Sequence, residues 1–246
     1  MKRYIVKPYD TLLSIAHRFG VTYAQLLAAN PRVLQSNHIT VGQIMAIPCE
    51  PLPIAPVQLE VIMSNAEGII EDINNQDWDN AGDKVSLIIS NFAELEPMIQ
   101  SIPPNLIYNL NSAIINLAKE VASQNKYESK VQANIITLYI SYMLDYFNME
   151  IPPCIYRLKY SGRKIILNVE NNNWSSADDD FDFVNVVWKN FQKMLPIGND
   201  MNIIEFNQIV NSLGQSIKNR DAAETIKMAN DMIGKIVALE EIFREN

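Results

Sequence analysis

The chain repeats itself, and that recurrence limits what it can fold into more than any other feature. Trp78 in "NNQDWDNA" has a counterpart in Trp174 of "NNNWSSA", an offset of 96 residues (174 − 78). The same offset lays Ile62, Ala66, Ile69, Ile70 and Ile73 over Leu158, Gly162, Ile165, Ile166 and Val169. It lays Ile114, Leu117 and Val121 over Val210, Leu213 and Ile217, and Ile140, Met143 and Phe147 over Ile236, Leu239 and Phe243. Between these blocks, a three-residue insertion near "DDD" is expected to move the offset to 99, pairing Val85, Phe92 and Pro97 with Val184, Phe191 and Pro196. Apolar residues three, four and seven apart line one face of a helix. Two starts also recur: "NKYE" at Asn125 to Glu128 and "DAAE" at Asp221 to Glu224 have the form of a capping box. The pattern predicts an all-α region of duplicated up-and-down four-helix bundles, repeat 1 over 57–148 and repeat 2 over 155–246, joined through "MEIPPC". Two separate bundles and one merged body both satisfy it.

Ahead of the repeats lies a proline-rich joint, 49–56, where Pro51, Pro53 and Pro56, following directly on Pro48, predict a semi-rigid, extended linker. The first 48 residues read as strand, helix, helix, strand. "RYIVK" is rich in β-formers, and "PYD" turns the chain. Asp10 is expected to cap a helix carrying Leu12, Ile15, Ala16 and Phe19, and Gly20 to stop it at the position where glycine is favoured. Thr22 is expected to cap a second helix that ends before Pro31, because a residue preceding proline avoids the helical region. "VGQIMAIP" supplies a turn and the second strand.

"YIVKPYDTLLSIAHRFGV…LLAANP…ITVGQIMAIP" resembles the LysM family almost from end to end, over about residues 3 to 48. One departure is Tyr9, where the family usually has glycine before "DT". The resemblance implies an α+β module of βααβ order that binds N-acetylglucosamine-containing glycans such as peptidoglycan or chitin. In that family the sugar lies in a shallow groove between two loops. Carried onto this chain, one side is Tyr9, Asp10, Thr11 and Leu12, and the other is Asn30, Pro31, Arg32, Val33 and Leu34. Fixed backbone amides and carbonyls in an apolar cleft are suited to an acetamido group and a sugar face.

Charge sharpens the division. Residues 1–48 carry five basic side chains and one acidic, a net +4, while the remaining fifteen basic and twenty-seven acidic side chains make −12, totalling the −8 of the chain. Nucleic acid is not an expected partner, since a concentrated basic face is lacking. No apolar run reaches the roughly 18 residues of a membrane span, and Lys7 and Asp10 follow Lys2 and Arg3 too soon for a secretion signal. No membrane is therefore expected as a partner, and synthesis is expected in the cytoplasm.

Other candidates read as structural. His17 and His38 are the sole histidines, His17 being expected on the surface of the first helix, so a Ser-His-Asp or Cys-His device has nowhere to form. Cys49 and Cys154 lack metal-ligand spacing and are read as two unrelated free thiols, with a bridge between them as the alternative. Trp78 and Trp174 are expected to plug a bundle end. Asp178, Asp179, Asp180 and Asp182 in "ADDDFDF" lack the glycine and glutamate of an EF-hand loop and read as a solvated helix start. No metal or other cofactor is expected. Tyr139, Tyr142 and Tyr146 form a stripe that repeat 2 replaces with Lys235, Ala238 and Ile242, so a specialised site in the helical part belongs in repeat 1.

The functional expectation is a non-enzymatic binding protein, with its head on glycan and its helical part making protein contacts or acting as a spacer. An N-terminal LysM-like module without a signal peptide resembles those of some endospore coat and cortex proteins, which implies deposition at a spore surface or cell wall. A cell-wall hydrolase with a catalytic helical region, and a scaffold whose head contacts protein, are the alternatives.

Overall fold

The head is made by caps and turns rather than by a large core. The computed structural model describes residues 2–8, 10–31, 33, 38–48, 52–195 and 198–244, and of Ala24 the backbone alone. Strand β1 (Lys2–Ile5) pairs antiparallel with β2 (Ile44–Ile47), Lys2 opposite Ile47 and Ile5 opposite Ile44. Between them lie α1 (Leu12–Arg18) and α2 (Tyr23–Ala28). Thr22 caps α2 as expected, in a reciprocal capping box with Gln25. Gly20 takes φ 59° just past α1, and Gly20 and Val21 donate back to the carbonyls of His17 and Ala16. The cap of α1, however, is Thr11 and not Asp10: Thr11 Oγ1 accepts from the Ser14 amide at 3.0 Å, and Ser14 Oγ accepts from the Thr11 amide at 2.9 Å. Ile15, Leu26, Met45 and Ile47 form the centre of a small core.

The rest is helical: α3 (Val57–Asn74), α4 (Trp78–Leu95), α5 (Pro104–Ala122), α6 (Lys126–Met143), α7 (Cys154–Glu170), α8 (Trp174–Phe191), α9 (Asp200–Lys218) and α10 (Ala222–Arg244). With the βααβ head in front, this is the fold class the sequence pattern predicts. In each half consecutive helices pack antiparallel and the first closes against the fourth, α3 on α6 and α7 on α10.

The four hairpin turns are conformational copies of one another. Gln76, Gln124, Asn172 and Arg220 all adopt φ between 53° and 61°, and they are 48 residues apart (124 − 76, 172 − 124, 220 − 172). At each, the left-handed residue and its successor donate back into the preceding helix, as Gln76 does to Ile73 O and Asp77 to Asp72 O. The successor then caps the next helix: Asp77, Asn125, Asn173 and Asp221 accept from the amides of Asn80, Glu128, Ser176 and Glu224. Buried side chains keep the same interval, as in Ile62, Leu110, Leu158 and Phe206, or Ile88, Ile136, Val184 and Met232. The structural unit is therefore a two-helix hairpin in four copies, half the period expected.

This register corrects the inferred insertion. Helices α4 and α8 both have 18 residues and begin at Trp78 and Trp174, so the offset stays at 96 through them. Val184 is the counterpart of Ile88, and Phe191 of Leu95. Pro196 lies outside the described residues. The "DDD" run also begins in the second turn of α8 and not at its start. Asp178 and Asp179 are solvated, whereas Asp180 is buried against Lys164 (2.7 Å) and Asn168 (2.6 Å).

Each half has its own apolar core. Between them runs a polar seam, where α6 meets α7. Asn134 donates to the Tyr160 carbonyl at 3.0 Å, Lys130 pairs with Glu170 at 2.8 Å, and Arg157 bonds the Ser141 carbonyl at 2.9 Å and the Asp145 carboxylate. Arg163 reaches Glu67 on α3. The halves are thus two cores joined by hydrogen bonds and ion pairs. Trp78 and Trp174 are half-buried on these cores at the first positions of α4 and α8.

Candidate functional site

The described side chains of the two loops expected to bear the sugar groove are largely engaged within the head. Asp10 accepts from Tyr4 Oη at 2.6 Å and from the Lys7 amide at 2.7 Å, and pairs with Arg18 at 2.9 Å. Its side chain is 3% exposed. Burial alone would push this carboxyl up, but the hydrogen bonds from Tyr4 and Lys7 and the Arg18 charge outweigh it and hold it below the usual carboxylate value. Thr11 is occupied in capping, and Leu12 is buried in the core.

On the facing loop, Asn30 acts as a clamp. Its amide nitrogen donates to the carbonyls of Leu26 and Ala46 at 2.7 Å each, and its oxygen accepts from the Ala46 amide at 2.8 Å. That ties the end of α2 to β2. Pro31 is exposed and Val33 is buried. Tyr9, Arg32 and Leu34 lie outside the described residues, as do Cys49 and Pro51. Asp10, Thr11 and Asn30 thus use their side chains for contacts within the head.

A family model, LysM domain, matches residues 4–48. The head is a LysM domain. The LysM domain indicates binding of glycans of the peptidoglycan or chitin type. No curated protein and no solved structure matches the chain.

The LysM domain does not hang free on its linker. The Leu52 amide donates to Gly20 O at 3.1 Å, and the Asn148 amide donates to Pro53 O at 2.9 Å, which ties the middle of the joint to the LysM domain on one side and to the helical part on the other. Leu13, Ala16 and His17 face a junction formed with Phe147, Pro152 and Cys154 of the helical part. His17 is accordingly half-buried and not a surface residue, and it hydrogen-bonds the Met149 backbone. Burial pushes its imidazole below the ordinary value, so it is neutral. Cys154 is a buried free thiol whose burial raises its pKa to about 12, so it is inert as a nucleophile.

In the helical part, Asp145 and Asp180 are the carboxyls held above their ordinary range. Burial is the cause in both, opposed by Arg157 for Asp145 and by Lys164 for Asp180. Each is satisfied by its own cation, and they occupy different bundles. Among the described residues no group of three His, Cys, Asp or Glu side chains is placed to hold a metal ion, and no helix is long and apolar enough to cross a membrane.

Proposed function

We propose that the chain is a non-enzymatic, glycan-anchored binding protein. Its LysM domain attaches to an N-acetylglucosamine-containing polymer, and the four-hairpin body serves as a rigid spacer or protein-binding element at a cell wall or spore surface. The LysM match over 4–48 carries the glycan part. The non-enzymatic part is supported by the arrangement of the two perturbed carboxyls. Glycoside hydrolysis needs two carboxyls flanking one bond, about 5–9.5 Å apart, whereas Asp145 is paired with Arg157 across the seam and Asp180 with Lys164 inside the second half. The rigid body is supported by four uniform turns and a linker tied through Leu52 to the LysM domain and through Pro53 to the helical part.

The test is depletion of the purified full chain from solution by insoluble peptidoglycan and by chitin. Retention in the pellet at high polymer loading, with no reducing ends or soluble fragments released over prolonged incubation, is expected. A chain that stays in the supernatant refutes glycan attachment, and release of fragments refutes the non-enzymatic reading.

A further inference from the structure

The sheet of the LysM domain has two unlike faces. Tyr4, Val6, Met45 and Ile47 pack on the small core, while Arg3, Ile5 and Lys7 alternate with them on the outside. Ile5 stands directly opposite Ile44. The pairing runs on for one more residue, since Val6 donates to Gln43 O and its carbonyl accepts from the Gly42 amide. Ile5 is 60% exposed, Ile44 62% and Val41, in the turn before β2, 65%. The domain docks on the helical body through α1 and α2, which leaves this outer face in solvent. Neither Arg3 nor Lys7 has an ion-pair partner among the described residues. The outer face is therefore an isoleucine pair flanked along β1 by two free cations.

The body carries the complement. On α4, Asp83, Leu87, Ser90 and Glu94 are all exposed. Spacings of four, three and four set them in one row, on the side opposite the buried Ala81, Val85, Ile88 and Phe92. Arg3 to Ile5 is about 6.7 Å along a strand, and Asp83 to Leu87 is about 6 Å along a helix. Ile5 to Lys7 is again about 6.7 Å, against about 10.5 Å from Leu87 to Glu94. The long side chains of Lys7 and Glu94 span that difference, and the small Ser90 between them leaves room for the strand. Glu94 accepts from Gln58 Nε2 at 3.2 Å, and Asp83 has no ion-pair partner among the described residues. The second half does not repeat the row. Ninety-six residues on stand Asp179, Phe183 and Asn190, so the second carboxylate is lost, and Phe183 packs on its own core. The net charges of +4 on the head and −12 on the rest favour the same pairing at longer range.

We infer that the outer sheet face of the LysM domain binds α4 of a second copy of this chain. Arg3 pairs with Asp83 and Lys7 with Glu94, while Ile5 and Ile44 close over Leu87. An apolar centre inside a charged rim is the usual anatomy of a protein contact. The two surfaces are different and each molecule carries both, so the contact is heterologous and adds copies head to body in a row. None of the nine groove positions takes part, and the contact does not depend on the glycan reading.

The test is sedimentation velocity of the full chain across a concentration series. In 0.1 M salt the sedimentation coefficient is expected to rise with concentration past that of a dimer. In 1 M salt, where the screening length falls from about 10 Å to about 3 Å, association is expected to weaken about tenfold. The double variants Arg3→Glu, Lys7→Glu and Asp83→Lys, Glu94→Lys are each expected to stay monomeric. Their mixture is expected to associate again, because the acidic head of one then meets the basic helix of the other. Ile5→Ser and Leu87→Ser, which leave the charges in place, are each expected to weaken association about tenfold, and circular dichroism checks that every variant is folded. A wild-type chain that stays monomeric in 0.1 M salt overturns the contact. So does association that survives either charge reversal, or a mixture that remains monomeric. A monomer that binds polyglutamate through Arg3 and Lys7 overturns it in favour of a different acidic partner.

Discussion

Replacing the left-handed residues of the hairpin turns with glycine should stabilise the protein, and the repeat makes the effect measurable. Gln76, Gln124 and Arg220 hold a side chain at φ 61°, 53° and 53°. For a residue with a Cβ this conformation costs roughly 1–2 kcal/mol. Glycine removes that cost but loses about 0.5–1 kcal/mol more backbone entropy on folding, leaving a net gain of about 0.5–1 kcal/mol per turn. Asn172 tolerates the conformation better, so it should gain little. The triple variant Gln76→Gly, Gln124→Gly, Arg220→Gly should then gain about 2 kcal/mol. In a body of this size that raises the melting temperature by about 4–8 °C. Thermal unfolding followed by circular dichroism measures it, with the triple alanine variant as control, since alanine keeps the left-handed cost. If the glycine and alanine triples melt together, or if glycine lowers the melting point, the shared turn geometry is wrong.

Gly214→Ala should destabilise the second half by about 1–3 kcal/mol in urea unfolding, because an added Cβ would sit 2.4 Å from the Phe181 ring. Asp10→Asn should loosen the LysM domain at neutral pH, seen as faster hydrogen exchange in 2–8 and 10–18. Because the folded pKa of Asp10 lies below its ordinary 3.8, the wild-type advantage should persist above that value and vanish as pH falls through the lower folded one. His17 acts in the same direction at higher pH. Its depressed pKa means the unfolded state binds the proton more readily, so docking should weaken as pH falls below its ordinary 6.5. A lower protection factor of the Leu52 amide at pH 5.5 than at pH 7.5, each taken relative to the intrinsic exchange rate at that pH, and the disappearance of that difference in His17→Gln check this.

Much of the head was legible in the sequence because its signals are local: Gly20, Thr22 and Pro31 each act within a few residues. Asp10 was misread because aspartate suits a helix cap, but Thr11 takes that role while Asp10 meets Tyr4 and Arg18. The false insertion has a general cause. A helix face recurs every three or four residues, so sliding α8 by three still laid apolar on apolar, and only the helix starts at Trp78 and Trp174 fix the true register. The 48-residue unit stayed hidden because its turns share a conformation and not a residue type: Gln, Gln, Asn and Arg stand where glycine would have been conspicuous. The seating of the LysM domain against Phe147 and Pro152 was not legible, because nothing in the spacing of either part foretells that contact.

All four left-handed turns lie at one end of the antiparallel array, and the LysM domain is seated at the other, beside Pro103 and Pro152. Helices of 18 or 19 residues are about 27 Å long. A molecule held to a polymer strand by its LysM domain would therefore stand as a short post, and a layer of such molecules would show the surroundings a uniform tip of Asp77, Asn125, Asn173 and Asp221.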